Sequence, residues 1–269
     1  MTIIASVKVR DGLVLATDSM TTIQATIDEA GHKAVIKTYS NAKKLFHIGD
    51  APIGAMIYGI GNIGQRSIEG LMFDFGSKEL PKLDKGKRGN VQEVAKALFD
   101  YFGNLYQAEF ANIALEQKMR DFRFGIFVAG CSIDKPFVEE WEFLLPRDDK
   151  VKQVRPDTVF GASWRGIDLP FTRLLKGFDP RIGQKLREGG VADDIVKGAL
   201  ESWKANIAYD GMPVQDAIDL AVFIVKTTIG FVSFEIGAPS CGGPLQVASV
   251  LPDGTFRWIA QPQLSIESQ

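Results

Sequence analysis

Three side chains near the start of the chain have the chemistry to cleave an amide together. Thr2 becomes the first residue once Met1 is removed, and its small side chain suits that removal. An N-terminal threonine carries a nucleophilic hydroxyl and a free α-amine on one residue. The amine, with an ordinary pKa of about 7.7–8.0, takes the hydroxyl proton directly or through a water. Asp18 closes the segment Ala16-Thr17-Asp18 and brings a carboxylate level with the chain start. Lys44, in Asn41-Ala42-Lys43-Lys44-Leu45-Phe46, opens a later strand. A lysine beside the nucleophile keeps the amine deprotonated by like-charge repulsion, and Asp18 would hold that lysine charged and oriented. Cys241 is a competing nucleophile by type but has no matched histidine base, so it reads as a small packing residue.

These residues need a scaffold, and the apolar patterning supplies one. Thr2 to Val9 and Leu13 to Thr17 read as strands about the turn Arg10-Asp11-Gly12. A polar stretch covers Asp18 to Lys37. The runs Lys44 to Ile48 and Ile53 to Tyr58 follow, separated by Asp50-Ala51-Pro52. Ile63 to Phe75 has helical spacing, Ser77 to Asn90 reads as an exposed connector, and a long helix is predicted from Val91 towards Gln117. Residues 122–130 and 137–145 form a second strand pair. A helical block over 191–229, split at Asp210-Gly211, leads to two final strands around Pro252-Asp253-Gly254. Strands, helices, strands, helices, strands is not the βαβα alternation of a parallel sheet. It predicts an α+β chain, a four-layer αββα sandwich of two stacked antiparallel sheets flanked by helices, in one domain over residues 1–269.

Composition narrows the function classes. The 269 residues carry 31 Lys+Arg against 33 Asp+Glu, a net charge of -2, which lacks the basic footprint of a nucleic-acid binder. No apolar run approaches the roughly 20 residues that span a bilayer, and the start has no signal-peptide pattern. Two cysteines and two histidines (His32 and His47, read as ordinary loop and strand residues) form no disulfide framework and no zinc pattern. The expectation is a cytoplasmic protein that uses no metal and no cofactor.

Gly59-Ile60-Gly61-Asn62-Ile63-Gly64 matches G-x-G-x-x-G after a predicted strand and before a predicted helix. A dinucleotide site also needs a parallel strand ending in an acid about 20 residues on. Here that region is the charged stretch around Lys78-Glu79-Leu80-Pro81, so a tight turn is the stronger reading.

The segments Thr2-Ile3-Ile4-Ala5-Ser6-Val7, Asp11-Gly12, Val14-Leu15-Ala16-Thr17-Asp18-Ser19 and Lys43-Lys44-Leu45-Phe46-His47-Ile48 resemble the proteasome β-subunit family. Its relatives include a bacterial double-ring protease fed by an AAA+ unfoldase and the β-like bacterial homologues called Anbu. The resemblance is close over residues 2–64 and loose beyond. It implies the N-terminal nucleophile hydrolase fold and peptide hydrolysis by the terminal threonine inside a homo-oligomeric chamber, with an ATP-dependent unfoldase as a candidate partner. By position Thr2 resembles the nucleophile, Asp18 the buried acid and Lys44 the catalytic lysine. Thr22 resembles a residue that binds substrate backbone, and Gly59 the glycine whose N–H forms the oxyanion hole. The later part departs from the family: Ala162 stands where a serine is expected, with Ser163 one residue on. Glu235 and Ser240 stand in for the family's Asp and Ser before Gly242-Gly243. Two other readings stay open: an N-terminal nucleophile amidase acting on a small amide, and a catalytically silent ring or scaffold subunit.

Overall fold

The computed structural model describes residues 2–26, 33–133 and 135–262. Its strands are β1 (Ile3–Val9), β2 (Gly12–Thr17), β3 (Thr21–Thr26), β4 (Lys33–Tyr39), β5 (Leu45–His47), β6 (Ile53–Gly59), β7 (Asn62–Ile63), β8 (Arg66–Ser67), β9 (Phe124–Gly130), β10 (Glu139–Leu145), β11 (Lys152–Gln153), β12 (Gly161–Gly166), β13 (Gln246–Val250) and β14 (Phe256–Ala260). The helices are α1 (Ile68–Asp74), α2 (Lys85–Arg88), α3 (Val91–Phe110), α4 (Leu115–Asp121), α5 (Leu169–Lys176), α6 (Arg181–Glu188), α7 (Asp193–Ser202) and α8 (Val214–Val232). One five-stranded sheet has the order β12-β1-β2-β13-β14 and another the order β11-β10-β9-β6-β5; every pairing in them is antiparallel.

The central strands are buried on both faces, which is why they read as unbroken apolar runs. Alternate residues of β1 and β2 divide between two cores. Val7, Val14 and Ala16 pack with Ala217, Ala221 and Val225 of α8. Ile4, Leu13 and Leu15 join Leu45, Met56 and Phe127 of the other sheet. The remaining faces of β6 and β9, through Ile57 and Ile126, meet Val94, Leu98 and Phe102 of α3. The chain is thus mixed α/β with antiparallel sheets and packed helices. Each valine, leucine, isoleucine, methionine or phenylalanine among them contributes about 1.5–3 kcal/mol when fully buried, so displacing β1 costs several such side chains together.

Several elements differ from expectation. The stretch after Asp18 contains the hairpin β3–β4, whose Thr, Ile and Val residues outweigh its polar ones. The helix predicted from Ile63 begins at Ile68, where the Ser67 hydroxyl accepts Gly70 N–H as an N-cap. The connector after Ser77 contains short helical turns with Leu80 buried. The long helix ends at Phe110, and α4 follows separately. β12, α5 and α6 lie in a region to which the apolar pattern assigned no element. Among the described residues no helix is long and apolar enough to cross a membrane.

Candidate active site

Thr2 precedes β1 and is buried. Its carbonyl accepts Ile167 N–H at 2.9 Å. That closeness requires Gly166, at φ +90°, where a Cβ would stand 1.9 Å from the Thr2 carbonyl oxygen. Asp18 leaves the end of β2 fully buried and accepts four donors. Oδ1 takes Ile3 N–H at 3.1 Å and Lys44 Nζ at 2.9 Å; Oδ2 takes Met20 N–H at 3.1 Å and Gly242 N–H at 3.0 Å. The Lys44 side chain is 6% exposed. Burial pushes its pKa below the ordinary lysine value, opposed by the charge and hydrogen bond of Asp18.

Lys44 is also fixed through its backbone by a residue the sequence reading missed. Gln246, at the start of β13 and opposite Thr17, is buried; its Oε1 accepts the N–H groups of Lys44 and Leu45, each at 3.0 Å, and its Nε2 donates to the Ala42 carbonyl at 2.7 Å. A buried glutamine with three bonds to one loop clamps that loop. Nothing in the local pattern announces this, because its partners lie two hundred residues away.

Thr2 lines two cavities. The larger, about 470 Å³, is walled by Met20–Ile23, Ala42–Lys44, Ile57–Asn62 and Ser67–Glu69. The smaller, about 230 Å³, is walled by Tyr58, Gly59, Arg123, Leu144, Arg147, Arg165, Gly166 and Asp168. Gly59 borders both, at φ +105°, where a Cβ would meet the Arg123 carbonyl oxygen at 2.0 Å. The Thr22 hydroxyl, on the wall of the larger cavity, is buried without a hydrogen-bond partner among the described residues. Thr2, Lys44, Thr22 and Gly59 are therefore brought together, with Asp18 behind Lys44.

The other predicted residues are not. Ser163 pairs with Ser6 in the β1–β12 register, well along the strand from Thr2, and its hydroxyl is taken by the Arg155 guanidinium. The β12 residues that approach Thr2 are Gly166 and, just beyond, Ile167 and Asp168. Asp168 before Leu169-Pro170 is a helix-start signal that marks this position in the sequence. Glu235 is exposed, and neither it nor Ser240 lines either cavity. What their segment delivers is Gly242 N–H to Asp18 and the buried Cys241. Burial, then the charge of Asp18, pushes the Cys241 thiol up to about 12, so it is no thiolate at neutral pH.

The glycine-rich segment opens the β7–β8 hairpin rather than a helix, which removes the helix N-terminus a pyrophosphate needs. His47 Nε2 lies 2.8 Å from the Ala51 carbonyl, and its ring stacks on Phe256 at 4.2 Å. Met1 and His32 lie outside the described residues. No group of three or more His, Cys, Asp or Glu among the described residues is arranged to hold a metal ion.

No family model matches the chain, and no curated protein matches it. Solved structures do. An Anbu (Gly-1) mutant from Hyphomicrobium sp. strain MC1 aligns with a TM-score of 0.53 at 11% identity, over 97% of this chain and 88% of that one. The helical assembly of the Anbu complex from Pseudomonas aeruginosa aligns with a TM-score of 0.50 at 17% identity, over 96% and 87%. These matches correct the resemblance drawn from residues 2–64: the similar structures are Anbu, and membership of the proteasome β-subunit family is not shown. At such identities the likeness is one of fold alone.

Proposed function

We propose that the chain hydrolyses peptide bonds with Thr2, exposed by loss of Met1, as an N-terminal nucleophile. The observation that carries this reading is the junction of two cavities at Thr2, with the buried Asp18–Lys44 pair beside it. The Thr2 hydroxyl attacks the scissile carbonyl carbon and passes its proton to the Thr2 α-amine. Lys44, cationic next to that amine, favours its neutral form, and Asp18 keeps Lys44 charged. The carbonyl oxygen becomes an oxyanion that accepts Gly59 N–H. When the intermediate collapses, the C–N bond breaks, the leaving nitrogen takes the proton from the α-amine, and an ester to Thr2 remains. Water then cleaves that ester with the same amine as base. Thr22 offers its hydroxyl, unpartnered among the described residues, to substrate backbone in the larger cavity.

The scaffold for this chemistry is a four-layer αββα sandwich formed as one domain, in a cytoplasmic, self-associating particle. The helical assembly of the Pseudomonas aeruginosa Anbu complex supports self-association; an ATP-dependent unfoldase would deliver folded substrates. Thr2→Ala should abolish peptide turnover, and Thr2→Ser should keep part of it because hydroxyl and amine survive. Comparable turnover from a chain carrying a verified, uncleaved N-terminal tag would overturn the mechanism, since an amide nitrogen accepts no proton.

A second reading, a catalytically silent scaffold subunit, is favoured by one observation: neither Ser163 nor Ser240 lines the cavities at Thr2. Peptide turnover that is lost in Thr2→Ala excludes it.

A further inference from the structure

The smaller cavity at Thr2 has an unusual wall. Three arginines, Arg123, Arg147 and Arg165, line about 230 Å³ together with Tyr58 and one acidic residue, Asp168. Arg147 is gripped on one edge by Asp148, through Nε and Nη2 at 2.9 Å each. Arg165 is gripped likewise by Glu142, at 2.7 and 3.1 Å, and gives Nη1 to the Trp164 carbonyl at 2.9 Å. Such bidentate pairs fix the planes of the two guanidiniums. Arg123 is different: its side chain makes no ion pair or hydrogen bond among the described residues. Its backbone is nevertheless fixed, because its carbonyl accepts Ile60 N–H at 2.9 Å, beside Gly59.

Two cavities meeting at a nucleophile take the two sides of the scissile bond. The larger is lined by the chain segments 20–23 and 57–62, long enough to flank an extended acyl chain. The smaller falls below the roughly 300–1,000 Å³ of drug-sized ligand sites, room for one residue. We infer that the arginine-lined cavity binds the leaving residue of the substrate and selects one that bears a carboxylate, with the unpaired Arg123 as the principal donor. This rests on the peptidase reading for its location, but the carboxylate binding is measurable without turnover. The carboxylate has two sources: an acidic side chain on the leaving residue, or the free terminus of a single leaving amino acid.

The test uses the full chain lacking Met1 and peptides of one acyl sequence whose leaving residue is Glu-amide, Gln-amide, free glycine or glycinamide. A charge-assisted hydrogen bond to the carboxylate predicts kcat/KM about tenfold to a hundredfold higher for the charged member of a pair. Preference within the Glu/Gln pair assigns the side chain, and preference within the glycine pair assigns the terminus. Arg123→Gln should bring the preferred ratio close to one. In parallel, the Thr2→Ala chain is titrated calorimetrically with glutarate and with glutaramide. Glutarate should bind, glutaramide should not, and Arg123→Gln should remove the difference. Glutarate binding without cleavage of any peptide would sustain the cavity assignment and sink the peptidase reading. Cleavage that ignores charge in both pairs, with no glutarate binding, would overturn the carboxylate assignment and leave the peptidase reading standing.

Discussion

Replacing Asp18 by asparagine should cost more stability than removing its lysine partner. Asp18 is fully buried and accepts four donors, two on each oxygen. An asparagine keeps one acceptor oxygen and turns an NH2 group towards two donors, whichever way it flips. One flip sets it against Lys44 Nζ and Ile3 N–H, the other against Met20 and Gly242 N–H. Lys44, 6% exposed, also loses its counter-ion. Removing one partner of a buried pair costs about 3–5 kcal/mol, which lowers the melting temperature by roughly 6–20 °C at 2–4 °C per kcal/mol. Lys44→Met leaves Asp18 with three backbone N–H donors that still solvate its charge. The loss there is nearer one charged hydrogen bond, about 1.5–3 kcal/mol. Both variants should lose peptide turnover. Denaturant unfolding at pH 7 followed by circular dichroism separates them. Asp18→Asn within 1 kcal/mol of the parent, or a larger loss in Lys44→Met than in Asp18→Asn, would refute the assignment of Asp18 as the anchor of the site.

Gln246→Ala should unfold about 2–3 kcal/mol more easily, because it strands the N–H groups of Lys44 and Leu45 and the Ala42 carbonyl; denaturant unfolding checks this, and a parallel drop in kcat identifies the clamp as positioning Lys44. The pH profile of kcat/KM should rise as the Thr2 amine loses its proton and fall as Lys44 loses its own. Since burial lowers Lys44, that fall comes below the ordinary 10.5, and Lys44→Arg, which keeps its charge, should remove it. A parent profile still flat at pH 11 contradicts this. Light scattering at micromolar concentration should give a particle several times the 29.5 kDa chain mass; a monomer contradicts self-association.

The front of the molecule was the most legible part of the sequence. β1, β2, β5 and β6 are short, doubly buried or tightly turned, and their apolar runs and turn residues are local signals. Thr2, Asp18 and Lys44 sit at the ends of those strands, so reading the strands located them. The cavity wall was harder because its residues come from distant elements. Arg123, Arg147 and Arg165 are ordinary surface residues by type, and only the pairing of β9, β10 and β12 into two sheets brings them to Thr2. Ser163 lies three residues from the point where β12 meets the chain start, and the close approach to Thr2 is made by Gly166 at the end of that strand. The Gly59 segment, read as a tight turn, folds as the β7–β8 hairpin, and that hairpin delays the helix expected from Ile63 until Ile68.

Thr2, with hydroxyl and α-amine both free, is the proposed nucleophile. Intact mass of the full-length chain, with and without a peptide epoxyketone, tests it most directly. Loss of Met1 and one covalent adduct per chain are expected, with both the hydroxyl and the amine of Thr2 consumed, and no adduct on Thr2→Ala. No adduct on a folded chain from which Met1 has been removed, or an adduct that survives Thr2→Ala, would contradict it.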